Sequence, residues 1–162
     1  VIDLVRPTCF CCVLPDDRIV WGNSKDYVLH VLDASGAEIM TIEKTHHPRK
    51  MTSADEARYR EIHMDAVKHG YRLEFYDHFP VFSGIFADDG GRIFVKTYER
   101  VEGKSEETYY DVFDADGRYA VKVPLSVDLA AGSVWKKHKL YAIESDGQGF
   151  PLVNRYSVSW TK

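Results

Sequence analysis

Seven histidines and three cysteines mark the first places where this chain could do chemistry. His46 and His47 are adjacent, so their side chains diverge, and His63 and His69 are spaced so that they do not share a helix face. No H-E-x-x-H or H-x-x-x-H pair is present, which removes the two-histidine zinc face. His78 stands apart because it follows Asp77 and precedes an expected strand. Cys9, Cys11 and Cys12 fall in one extended run, Cys9 and Cys11 on one side and Cys12 on the other. Such neighbours cannot close a disulfide of normal geometry, and zinc would need a second ligand pair, so the three read as small buried apolar side chains of an innermost strand. Asp114-Ala115-Asp116-Gly117 begins like a calcium loop yet lacks the later ligands and the closing glutamate. It reads as a turn, as does Asp88-Asp89-Gly90-Gly91. Ser83-Gly84 lacks the G-x-S-x-G frame of a nucleophile elbow. These readings leave no catalytic residue, no metal set and no cofactor site.

The elements that must carry any site are short strands. From Phe82 to Leu125 an apolar run, a D-D-G-G turn, the alternating Arg92–Tyr98, a charged stretch Glu99–Glu107, a Tyr/Val/Phe-rich run and a D-A-D-G turn lead into the alternating Arg118–Leu125. That predicts a four-stranded antiparallel meander, with Pro80 opening its first strand and Glu99–Glu107 as a solvated loop. The same order runs from Thr8 to Glu43, and RIVWG and VLHVLDASGAEIMTIE echo RIFVK and YYDVFDADGRYAVKVP. A third copy, from SVWKKHKLYAIES through Gly147-Gln148-Gly149 to Trp160, ends after three strands. Between the first two copies, Thr52 or Ser53 can cap a helix near Ala54–Lys68, with Glu56 completing a capping box with Ser53 and Gly70 ending it. The aromatic run Tyr71–Phe79 then returns the chain and buries its rings. The fold class is therefore all-β: β-propeller blades, about three four-stranded antiparallel meanders, with one helical insertion. The boundaries are blade 1 about 8–43, insertion about 48–76, blade 2 about 82–125 and blade 3 about 131–160, with 1–6 the outer strand of a preceding or closing blade.

FSGIFADDGGRIFVKTYE, YDVFDADGRYAVKVPL and KLYAIESDGQGFPLVNRYSV resemble the C-terminal half of the bacterial six-bladed β-propeller family related to NHL-repeat and TolB-like propellers. The resemblance implies an extracytoplasmic location, periplasmic or secreted. It also implies that the missing position of the last blade is filled by an opening strand such as Val1–Val5. Some related propellers are metal-dependent hydrolases or lyases of the lactonase kind with a divalent metal on the axis, and by that analogy Asn23, Glu99 and Glu144, at the ends of comparable second strands, would converge.

At roughly 40 to 50 residues per blade the chain holds about three, whereas closed rings need roughly 4 to 8. Closure then calls for further blades upstream or for a homodimer of two half-rings. Net charge −4 and a pI near 6.0 give no footprint for nucleic acid, and no apolar run is long enough for a membrane span. In a meander of this topology, Arg6–Thr8, Asn23–Asp26, His78–Val81, Tyr98–Glu107 and Ser145–Phe150 emerge together at the channel mouth. The expected function is a non-catalytic scaffold binding a protein segment, glycan or small ligand there, with Tyr98, Glu99, Arg100, His78 and Asn23 as contacts. The two other readings are the metal-dependent enzyme, its site completed by further blades, and a self-associating half-propeller with a purely structural role.

Overall fold

The computed structural model describes residues 1–130 and 132–160, without the side chains of Ser105 and Glu106. Ala131, where the third repeat was expected to begin, lies outside the described residues. The chain is mostly β, built of antiparallel sheets. In the first, β2 (Cys9–Val13), β3 (Ile19–Asn23), β4 (Val28–Leu32) and β5 (Glu38–Glu43) form one meander. The second is the meander β7 (Gly84–Ala87), β8 (Ile93–Val101), β9 (Lys104–Phe113) and β10 (Tyr119–Leu125). The third has three strands, β11 (Val134–Lys136), β12 (Lys139–Ser145) and β13 (Pro151–Ser157). No helix among the described residues is long and apolar enough to cross a membrane.

One turn chemistry recurs in all three sheets. Asp33, Asp88, Asp114 and Asp146 each accept, on Oδ1, the backbone N–H groups two and four residues on. The glycine between those donors has positive φ in every case: Gly36, Gly91, Gly117 and Gly149. A D-x-x-G turn thus satisfies its own carboxylate oxygen, and this is why it does not need a cation. At Gly117 a side chain would also strike Met40 and Ile42 of the first sheet, at 2.8 and 2.9 Å.

The sheets stack face to face. Val20, Leu29, Val31 and Ile42 of the first pack on Phe82, Ile85, Ile93, Val95 and Phe113 of the second. The opposite face of the second, with Phe94, Tyr110 and Val112, packs on Val127, Leu129, Leu140 and Ala142. The first strands β2 and β7 lie beside each other.

Several expectations change. Glu99–Glu107 is not a loop: β8 and β9 continue as a hairpin to Val101 paired with Lys104, with a bulge between Lys96 and Arg100. The pairing of backbone groups there outweighs the charge of the side chains. Ile2–Asp3 (β1) pairs parallel with Leu73–Glu74 (β6), beside the return from the insertion and not beside the third sheet. Cys9 and Cys11 are exposed, because β2 turns that face away from the second sheet; only Cys12 packs inward with Phe10. Of the aromatic return, Phe79 and Leu73 are buried while Tyr71 and Tyr76 stay exposed. Residues 80–83 precede β7 and do not start it, although Phe82 is wholly buried.

The insertion comprises α1 (Ser53–Ile62) and α2 (Met64–Lys68). Its cap is Thr52, whose hydroxyl accepts from Asp55 N–H while Asp55 accepts from Thr52 N–H. The box is therefore Thr52/Asp55, one residue earlier than Ser53/Glu56: aspartate reaches the cap backbone and also receives Arg49.

Candidate functional site

The loops expected to meet at one end of the stack largely do. Thr8 and Ser24 are joined by Thr8 N–H to Ser24 Oγ and Ser24 N–H to Thr8 O, both 2.9 Å, and Val81 N–H donates to Ser24 O. The insertion closes over the same end through Met51 N–H to Asp77 O and Phe79 N–H to Arg49 O. Ser145–Phe150 folds on itself through Asp146.

Where α1 faces the end of β8, a cleft of about 360 Å³ opens, lined by Arg49, Arg58, Lys96, Tyr98, Glu99 and Arg100 with Tyr59, Phe79, Ser83, Thr97 and Thr108. Its floor is aromatic: Phe79 lies 4.8 Å from Tyr98 and 6.3 Å from Tyr59, ring centre to ring centre. The Arg49 guanidinium sits 4.4 Å over Phe79 and donates to both oxygens of Asp55, at 2.7 and 2.8 Å. Lys96 is tied to Asp128 at 2.8 Å. Arg58 and Arg100 are exposed and have no ion pair among the described residues. Among the described residues the acid that lines the cleft is Glu99, and it is turned to Lys122, at 2.6 and 2.7 Å. The lining therefore carries more positive than negative charge. Burial, reinforced by Tyr59, pushes the Tyr98 hydroxyl up to about 12, so it stays a neutral donor at physiological pH.

Tyr98, Glu99 and Arg100 thus share one cleft. His78 does not join them; it borders a separate hollow of about 280 Å³ with Pro7, Lys25, Pro48 and Tyr76, and Phe79 forms the wall between the two. Asn23 is spent locally, its amide on Cys9 Sγ and its carbonyl on Lys25 N–H. Glu99 and Glu144 are each engaged on their own sheet, Glu99 by Lys122 and Glu144 by Asn154 and Tyr156, the latter two both at 2.5 Å. Among the described residues no group of three or more His, Cys, Asp or Glu is placed to hold a metal ion.

Sequence reading missed Arg49, Arg58 and Lys96. Arg49 was legible only through its neighbour, an aspartate three residues after Thr52. It also missed the buried ionic seam between the first two sheets. Asp111, wholly buried, accepts from Tyr27 Oη at 2.8 Å and Lys44 Nζ at 2.7 Å. Burial first, then Asp111, drive the Tyr27 hydroxyl far above its ordinary range. His46 flanks this seam, its imidazole depressed chiefly by burial despite the nearby Glu99. Cys12 is held near 12 by burial and by Cys11, which makes it a packed thiol and not a nucleophile. A larger apolar groove of about 690 Å³ runs between β10 and the third sheet, lined by Val121, Val123, Trp135, Tyr156 and Trp160 among others. It lies beside β13, which among the described residues is the last strand of the third sheet.

A scan against protein-family models finds no match, and a search of curated proteins finds none either.

Proposed function

We propose that the chain is a section of a β-propeller of the NHL-repeat and TolB-like kind, acting as a non-catalytic scaffold that holds an anionic ligand in the cleft at the channel mouth. Three features support the ring: meanders of the same order, stacking of each sheet on the next, and the first strands β2 and β7 side by side. The observation that carries the ligand class is the cleft itself. Arg49 and Lys96 are paired with Asp55 and Asp128, and Glu99 with Lys122, which leaves the guanidinium groups of Arg58 and Arg100 without an ion pair among the described residues. Planar guanidinium groups recognise carboxylate or phosphate through paired N–H donors, and Tyr98 adds a hydroxyl beside an aromatic floor.

Titration calorimetry at low salt with inorganic phosphate and with citrate tests this. Binding should weaken about tenfold or more in Arg58→Ala/Arg100→Ala, in line with the ~1.5–3 kcal/mol of hydrogen bonds to charged groups. Absence of binding by either anion, or binding indifferent to both substitutions, would sink the reading.

A further inference from the structure

Among the described residues the first and third sheets each pack on the second through one face only, and their two other faces differ in kind. On the first sheet the face turned away from the second carries Cys11 opposite Trp21, Val13 opposite Ile19, and Ile19 opposite Leu32. Val13 is 63% exposed, and Trp21 is stacked on His30 at 4.6 Å. The charged side chains along these strands are acidic apart from His30: Glu38, which meets His30 at 3.1 Å, and Glu43 opposite Val28. On the third sheet the outward face carries Val134 opposite Tyr141 and Ile143 opposite Val153. Val134, Ile143 and Val153 are 59, 52 and 71% exposed. Its charged side chains are all basic, Lys136 opposite Lys139 and Arg155 opposite Tyr141.

Each face thus joins an apolar centre to charge of one sign, and the signs are opposite. Contiguous exposed apolar area on a sheet marks a surface that is covered in use. We infer that two copies of this chain pair head to tail, the first sheet of each lying on the third sheet of the other. The inner contacts supply the template, since the second sheet already meets both neighbours face to face through valine, isoleucine and aromatic side chains. A patch that is complementary to a different patch on the same molecule, and not to itself, gives a heterologous contact; it closes only if the rotation returns on itself. Closure at two chains rests on the propeller reading proposed above, since two stacks of three sheets fall within the roughly 4 to 8 blades of a closed ring.

Because the contact is heterologous, it can be tested by complementation. Val13→Glu spoils only the first-sheet face, and Val153→Glu only the third-sheet face. Both positions are exposed, so both variants fold. By size-exclusion with light scattering the unaltered chain should run as two copies, and each variant alone as one, since both contacts of a self-pair then contain a spoiled face. Mixing the two variants should restore pairs through the one contact that joins two intact faces, with weaker affinity than the unaltered chain. A monomer across the micromolar range, a pair unmoved by either substitution, or a mixture that stays monomeric would overturn the inference. Assemblies of more than two chains would overturn closure at two.

Discussion

Asp111 shows what a single residue can set at the junction of two sheets. Its carboxylate is wholly buried, with one oxygen shared by Tyr27 and Lys44 and the other without a hydrogen-bond partner among the described residues. Lys44 also lies 5.2 Å from the Tyr27 ring and 5.0 Å from that of Tyr119, so the cation is boxed by aromatic faces. Removing the carboxylate leaves the buried Tyr27 hydroxyl without its acceptor and the partly buried Lys44 cation without its partner, and this costs more than the pair contributes. Asp111→Ala should therefore lower stability by about 3–5 kcal/mol. Adding Lys44→Met should recover a substantial part, because no lone charge then remains. Urea unfolding of the single and double variants reads both values, and a single substitution costing under about 1 kcal/mol would mean that the seam is solvated. The sequence offered one sign of it, an aspartate on the inward register of TYYDVF, where alternation calls for an apolar side chain.

At the scale of elements, the helical insertion is fastened by a few polar contacts and little apolar burial. Within α1 only Asp55 is buried, and Ile62, Met64 and Val67 remain exposed. Burial alone would raise the Asp55 carboxyl, but hydrogen bonds from Arg49 and Thr52 outweigh it and hold the group below its ordinary range. A carboxyl depressed in the folded state contributes stability that is present above its unfolded value, about 3.9, and is lost as pH falls through the folded one. The insertion should therefore loosen below about pH 4, ahead of the sheets. Asp55→Asn should give a helix already weakened at neutral pH, by about 1 kcal/mol from the cap, and insensitive to that acid step. Circular dichroism at the helix band from pH 7 to 2 distinguishes the two. An acid step of equal size in the variant would remove Asp55 as its cause. The strands were legible because alternation and D-x-x-G turns are local signals, and β2 to β5 fall within a residue or so of where the pattern puts them. The hairpin at Val101–Lys104 was not, since charged side chains say nothing about whether their backbone is paired. The β11–β12 turn is likewise opaque: Lys137 and His138 both adopt positive φ, which neither side chain favours.

For the whole molecule, position in the stack decides how firmly each sheet is held. The second sheet is covered on both faces, and Phe94, Tyr110, Val112, Ile93, Val95 and Phe113 are all at most 2% exposed. Among the described residues the other two each pack through one face only, and β13 is the edge strand of the third beside the apolar groove. Little of this was visible in the chain, because the repeats look alike and what separates them is which neighbour lies against each face. The candidate cleft was only half legible for the same reason: Tyr98 to Arg100 are contiguous, whereas Arg49 and Arg58 reach them only after the insertion folds over the end of β8. Amides that exchange only through global opening lie in the elements with the most buried contacts, and those in half-covered elements exchange through smaller openings. In hydrogen exchange, β8 and β9 between Ile93 and Phe113 should be the slowest, excepting the hairpin tip; β3 and β4 should follow, and β13 should be the fastest of the longer strands. Pairing of two copies adds a second expectation, since a partner sheet would shield β13 and β2 together. Their protection should rise with protein concentration and fall back in Val153→Glu, while β8 and β9 stay unchanged. Equal protection across all three sheets at low concentration would show that the stack opens as one unit and that covering both faces of the middle sheet confers no separate stability.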